Sequence, residues 1–306
     1  MHPKPKISHR GSALISALFI MTLVAIAATA MSTRLQFDIY RTHLTVSSDQ
    51  LYLATQAVTF WGMSTINDEG VRFKRYHEEG KIISFPAKYQ RLYPDITIGG
   101  DVYDLQAFFN VNNLQDKKFH PLFFRLLEQT FNQKGNANPK ALLLAIYHWI
   151  SPYQPRRNHD NHPFFPSNQP MRSVSELLLV PGFNNEIYQT LLPSISALPE
   201  VTPININTAP KWLLSCLGNG LSETQVNELI DERGKNGFTN IGKAVKILQK
   251  LDIPNDQITT ESNYFLIVAT ATSDNLNLTS YTIIKHRKDP QGNMTMGVVS
   301  ESLNTM

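Results

Sequence analysis

The chain is short of several things at once. Its 306 residues hold one cysteine, Cys216, so no intramolecular disulfide can form and no multi-cysteine metal site can be built. Lys and Arg number 28 against 25 Asp and Glu, a net charge of +3. That lacks the concentrated basic excess of a nucleic-acid binder. No charged residue occurs from Ser12 to Thr33, and no proline or glycine from Ser12 to Phe60. No nucleophile elbow, phosphate loop or zinc-protease helix motif is present. The carboxylates are scattered, so no residue set earns a catalytic assignment and an enzyme is not expected. With 42% hydrophobic and 17% charged residues, the chain can still bury a core of ordinary size, in one to three domains.

What it does contain, at its start, is a 22-residue uncharged run, Ser12 to Thr33. Roughly 20 such residues cross a bilayer core as a helix. Lys4, Lys6 and Arg10 precede it, which keeps the N-terminus cytoplasmic and exports the remainder. A secretory signal peptide cut at the "ATA" of Ala28–Ala30 is the competing reading, but its apolar region is usually only about 7–15 residues. Here the apolar pattern also runs on through Leu35, Ile39, Leu44, Leu51, Ala54, Val58 and Trp61 at helical spacing. A helix of about 50 residues, roughly 75 Å long, would be half in lipid and half amphipathic.

A short basic leader ending in Arg10-Gly11, followed at once by an apolar helix, resembles a class III, prepilin-type N-terminus. The resemblance implies cleavage between Gly11 and Ser12 by a prepilin peptidase and methylation of Ser12. The apolar segment would be retained as a membrane anchor. The fifth mature residue is then Ser16, where most proteins of that class carry glutamate.

Beyond the long helix, "ITIGGDVYDLQAFFNVNNL" (Ile96–Leu114) reads as two strands joined by a Gly99-Gly100 turn. Residues from Asp116 to Asp256 are mainly helical in pattern. Ser173 with Glu176 forms an expected capping box, Pro210 sits near a helix start, and Ser222 is an expected N-cap. "NYFLIVATATS", "LTSYTIIKHRK" and "MTMGVVSES" read as closing strands, the last two joined by a "DPQGN" turn. The order implies an α+β fold with a helical block inserted into a small antiparallel sheet.

Two segments of the block look like helix–hairpin–helix units, with hairpins at Pro181-Gly182-Phe183 and Gly218-Asn219-Gly220. Their alternative is DNA binding in a competence-type system, since such hairpins aim backbone N–H groups at phosphate. Neither turn contains Lys or Arg, and Lys211, Arg233 and Lys235 are balanced by Glu223, Glu228, Asp231 and Glu232. A structural role is the better reading. A proline-rich loop of about 20 residues is long for a compact domain. His148, His159, Asp160 and His162 lie in or beside it, and they read as solvated loop rather than a metal site. Phe108, Phe109, Phe123 and Phe124 are read as core.

The runs "DLQAFFNVNNL", "YHWISP", "NQPMRSVSELLLVPGF", "LLPSISALP" and "ININTA" are similar, in order and spacing, to the type II secretion system minor pseudopilin K family, over nearly the whole chain. The resemblance implies a pilin-like fold: a long N-terminal helix packed on a small antiparallel sheet, with a large inserted α-helical domain of helix–hairpin–helix (SAM-like) units. It implies a leader at 1–11, a transmembrane and amphipathic helix at 12–66, first strands within 67–114, the inserted domain at 115–257 and closing strands at 258–306. It further implies a non-enzymatic cap at the tip of a periplasmic pseudopilus, anchored in the bacterial inner membrane. Minor pseudopilins I and J are its implied partners, with no nucleic acid. Absence of glutamate at the fifth mature position, here Ser16, is a mark of this family. Several members carry a calcium loop after a "W-I-D-P" run. Here Trp149-Ile150-Ser151-Pro152 is followed by a loop whose carboxylate is Asp160 alone, alongside Arg156 and Arg157. Calcium takes six to eight oxygen ligands, so calcium is not expected there.

Overall fold

The structure, a computed structural model, describes residues 10–66, 80–131, 137–152, 166–234, 236–273, 276–288 and 294–304. Most of the expected leader, His159, Asp160 and His162 of the proline-rich loop, Lys235 and the turn at 289–293 lie outside these residues. The chain divides into two compact units, Met1–Leu51 and Tyr52–Met306.

Helix α1 runs over Arg10–Ile66, and its stretch up to Leu51 constitutes the described part of the first unit. Its alanine, leucine and methionine residues favour the helix, and no proline or glycine breaks it between Gly11 and Gly62. Its hydroxyl residues turn back onto the helix itself: Thr22 donates to Phe19 O at 2.8 Å, Thr29 to Ala25 O at 2.8 Å and Thr33 to Thr29 O at 2.9 Å. Polar groups in an apolar segment are thereby satisfied without water.

In the second unit, β1 (Lys81–Ser84), β2 (Thr97–Asp104), β7 (Tyr264–Ser273), β8 (Leu276–Lys288) and β9 (Met294–Leu303) form one antiparallel sheet in the order β1-β2-β7-β8-β9. Side chains alternate across it. Val102, Phe265, Ile267 and Ile284 cluster with Ile66 from the last turns of α1. Tyr264, Leu266 and Val268 point to the other face, where they meet Leu105 and Leu198. Glu301 of β9 accepts hydrogen bonds from Gln56 of α1 (2.5 Å) and from Ser280 (3.1 Å), fastening the last strand to the helix.

The Gly99-Gly100 turn does not exist. Both residues lie inside β2, paired with Thr270 and Ala269 of β7. The glycine at 100 answers to packing: a Cβ there would sit 2.4 Å from Val268 O and 2.8 Å from a methyl of Val58 on α1. A glycine inside a strand often marks a close approach, and here Val58 of α1 lies directly over the strand.

Between β2 and β7 the chain leaves the sheet for the helical insert. It contains α2 (His120–Phe131), α3 (Pro139–Ile150), α4 (Asn185–Leu191), α5 (Lys211–Leu214), α6 (Glu223–Arg233) and α7 (Ile241–Lys250). Two short parallel pairs complete it: β3 (Phe109–Asn110) with β4 (Ile195–Ser196), and β5 (Ile204–Asn205) with β6 (Ile258–Thr259). One apolar core serves the insert, with Phe109 stacked on Phe123 at 4.7 Å. Of the four aromatics read as core, Phe109 and Phe123 are fully buried, Phe124 packs partly buried against the cluster and Phe108 is half-buried. Ser222 caps α6 in a full capping box with Gln225, and Pro210 stands at the N-cap of α5. The expected box at Ser173 is different. Ser173 accepts from Ser175 N, Glu176 accepts from Arg172 N, and Val174–Leu179 is a 3-10 helix. The carboxylate reaches one residue too far back to close the reciprocal pair.

Candidate functional site

The N-terminal helix is the first candidate. Among the described residues it is the one helix long and apolar enough to cross a membrane. Leu14, Leu18, Met21 and Ile26 are all more than 60% exposed, an apolar surface that water would not tolerate uncovered. The Gly11–Ser12 bond, expected as the processing site, falls in the first turns of α1, which begins at Arg10. Ser16 lies one turn on, and its hydroxyl donates to Ser12 O at 2.9 Å. Ser16, the expected fifth mature residue, is therefore a neutral group satisfied within its own helix. A carboxylate there would need a counter-charge in lipid.

The two hairpins are the second candidate, and both turn their polar groups inward. At the second, Gly218 and Gly220 adopt φ of 55° and 92°. Gly220 N donates to Leu217 O and Leu221 N to Ser215 O. Arg125 of α2 reaches in to donate to Cys216 O at 3.0 Å and to Gly218 O, while Asn219 donates to Asp252. At the first, Phe183 N donates to Val180 O. These hydrogen bonds go to the protein itself, whereas a phosphate site keeps its N–H groups for the ligand.

The third candidate was not legible as a site. Asn110-Val111-Asn112 and Asn205-Ile206-Asn207 are the same device used twice. In each, the first asparagine accepts from the second's N–H, at 3.1 Å and 3.0 Å. The second then clamps two distant segments. Asn112 donates to Met171 O and Leu198 O and accepts from Met171 N. Asn207 donates to Phe238 O and Thr260 O and accepts from Phe238 N. Asn113 does the same work on Thr202, accepting from its N–H and donating to its carbonyl. All are buried. An asparagine side chain carries one acceptor and a pair of donors, so it ties loops together as a strand partner would. The motifs "NVNNL" and "PMRSVSEL" thus meet in space, and "ININTA" is tied to Phe238 and Thr260, as frame rather than catalyst.

Asp104, at the end of β2, closes this frame onto the sheet. Its carboxylate accepts from Gln106 N, Asn205, Thr208 and Ser262 at 2.5–2.9 Å. Burial raises its pKa above the ordinary 3.8, outweighing the four hydrogen bonds that pull it down. A second tie runs from Glu200 of the insert to Lys285 (2.5 Å) and Tyr264 (2.9 Å) of the sheet. Burial alone would raise the Glu200 pKa, but the bonds from Lys285 and Tyr264 leave it lowered. The sequence signal for the frame was asparagine at i, i+2 spacing inside apolar runs, twice.

Among the described residues no group of three His, Cys, Asp or Glu side chains is placed to hold a metal. His148 sits on α3, with its ring 5.7 Å from that of Tyr147. The Ser151 hydroxyl donates to Tyr147 O at 2.5 Å. Burial pushes the Cys216 thiol up to about 12, which makes it inert as a nucleophile.

Comparison with known proteins accords with this geometry. Two family models, both described as type II secretion system (T2SS), protein K, match residues 107–200 and 204–262, together half of the chain. The division falls between the two asparagine devices. Type II secretion system protein K of Pectobacterium carotovorum subsp. carotovorum is 26% identical over 283 residues, covering 82% of this chain and 83% of its own. That of Klebsiella pneumoniae is 26% identical over 277 residues, covering 79% and 81%. Among solved structures, a chain of the GspK–GspI–GspJ complex from the enterotoxigenic Escherichia coli type 2 secretion system has the same fold. Its TM-score is 0.65 at 20% identity, over 87% of this chain and 100% of that one.

Proposed function

Since this chain belongs to the type II secretion system protein K family, and so has the role of a minor pseudopilin, we propose that it caps the tip of the periplasmic pseudopilus and helps start its assembly. The observation that carries this reading is the N-terminal helix: apolar, uncharged over Ser12 to Thr33, and closed at Ser16 by a hydroxyl bond to Ser12 O. A subunit with none above it has no need of a carboxylate at that position. The single apolar helix serves as a one-pass anchor in the bacterial inner membrane, N-terminus cytoplasmic and the bulk periplasmic, as Lys4, Lys6 and Arg10 direct. A prepilin peptidase cuts between Gly11 and Ser12, and Ser12 is N-methylated. The working parts are then the leader at 1–11, the helix at 12–66, the first pilin-like part at 67–114, the inserted helical domain at 115–257 and the closing strands at 258–306.

Its partners are the minor pseudopilins I and J, which the similar Escherichia coli structure contains as GspI and GspJ. Its part is structural rather than enzymatic: the polar clusters of the insert are spent on holding backbone together. The hairpin turns contain no Lys or Arg, and the N–H groups of Phe183, Gly220 and Leu221 bond within the protein, which speaks against DNA binding there. The test is co-purification of the full chain with I and J from detergent-solubilised membranes, beside a secretion assay in cells lacking their own protein K. A stoichiometric complex and restored secretion are expected. Normal secretion without this chain would refute the proposal.

A further inference from the structure

The sheet face turned away from α1 is not fully covered by the insert. A groove of about 530 Å³ lies between them, a volume typical of a small-molecule site. Leu266, Val268 and Ile283 form its floor, and Val174, Leu192 and Ile195 its roof. Arg172 is the one charged residue among the described residues that line it; the carboxylate of Glu176, outside the lining, accepts from Arg172 N at 2.7 Å rather than from its guanidinium. Arg172 is exposed, and its side chain makes no ion pair with any described residue.

The chemistry of an occupant follows from these walls. An apolar trough with one unpaired cation at its mouth suits an apolar body with an anionic head. A peptide fits poorly. The sheet's free backbone row on this side is the outer edge of β9, which lines the groove at Ser300 and Ser302. The floor strands β7 and β8 are paired on both sides, so a peptide lying over them meets no free row for its N–H and C=O groups. Buried without partners, those groups would cost more than their side chains return. A chain of methylenes carries no such groups. We propose that this groove binds a long-chain fatty acid, acyl chain between sheet and insert and carboxylate on the Arg172 guanidinium. The site goes beyond pseudopilus assembly and stands independently of it.

The test uses the full chain in phosphatidylcholine nanodiscs with a diazirine-bearing palmitate, cross-linked by light and mapped by mass spectrometry. Label is expected on peptides carrying Leu192 to Ala197 and Leu266 to Ile283, in addition to label on the apolar helix. Arg172→Ala should lower the groove label about tenfold, the value of a charge-assisted bond, and leave the helix label unchanged. Ser300→Trp, which fills the groove from β9, should abolish the groove label at an unchanged melting temperature. At equal content in the bilayer, unlabelled palmitate should compete for the groove about tenfold better than hexadecanol, which lacks the carboxylate. Label confined to the helix, or groove label indifferent to both variants, would overturn the proposal. So would competition by an apolar peptide with a free carboxylate, or by lysophosphatidylglycerol, in preference to palmitate.

Discussion

Gly99→Ala and Gly100→Ala are neighbours in one strand and should behave as opposites. A Cβ at Gly100 meets Val268 O at 2.4 Å and a Val58 methyl at 2.8 Å. The oxygen belongs to the backbone of the paired strand β7 and cannot rotate aside, so either strand or α1 must move. Overpacking of this kind typically costs 1–3 kcal/mol and occasionally more. A backbone clash puts Gly100→Ala at about 3 kcal/mol. At Gly99 the nearest atom is the Thr270 hydroxyl at 3.2 Å, which a side-chain rotation relieves. Replacing a strand glycine by alanine also recovers roughly 0.5–1 kcal/mol of backbone entropy, so Gly99→Ala should be neutral or slightly stabilising. For a unit of this size each kcal/mol moves the melting temperature by roughly 2–4 °C. Gly100→Ala should therefore melt about 6–12 °C lower, read by circular dichroism on the full chain in detergent. Melting temperatures for the two variants within 2 °C of each other would refute the claim that glycine at 100 exists to let α1 lie on the sheet.

The paired asparagine devices make a matched prediction. Asn112→Ala and Asn207→Ala each remove three buried hydrogen bonds, so each should cost about 3 kcal/mol at about 1 kcal/mol per bond in urea denaturation; a cost below about 1 kcal/mol at either site would contradict the clamp. The buried carboxylate has a definite pH sign. Because burial raises the Asp104 pKa above 3.8, its contribution is fully present below 3.8 and is lost as pH rises through the raised value. Wild-type stability relative to Asp104→Asn should fall across that window, and a relative gain with rising pH would be wrong for this site. Glu200 runs the other way: its lowered pKa gives a contribution present above 4.5 and lost as pH falls, which Glu200→Gln should abolish in the same titration. Ser16→Ala removes only a local bond to Ser12 O, so membrane retention and secretion should stay within about twofold of wild type. A fivefold loss would mean that the hydroxyl has another partner.

The elements that announce themselves by period were legible. The long helix lacks any breaker, and the closing strands alternate or are β-branched, so both stand where the pattern puts them. The Gly-Gly in β2 misled because a glycine required by an overlying helix and one required by a turn look alike in sequence. The box at Ser173 misled because the spacing permits it while the chain enters as a 3-10 turn. The asparagine frame left a repeated i, i+2 spacing in the sequence but no sign of its purpose. Composition alone makes Asn110, Asn112, Asn113, Asn205 and Asn207 look like loop residues, and only their long-range partners, Met171, Leu198, Thr202, Phe238 and Thr260, give them a purpose. The apolar groove likewise arises from stretches far apart in the chain, from Tyr103 to Ser302.

As proposed above, helix α1 is a retained anchor released from a short leader. Intact mass spectrometry of the protein recovered from membranes tests it most directly. A mature chain that begins at N-methylated Ser12, with all of α1 from that residue onward present, is the expected result. A chain that begins at Met31, cut after the "ATA" of Ala28–Ala30, would leave no anchor and would contradict the account.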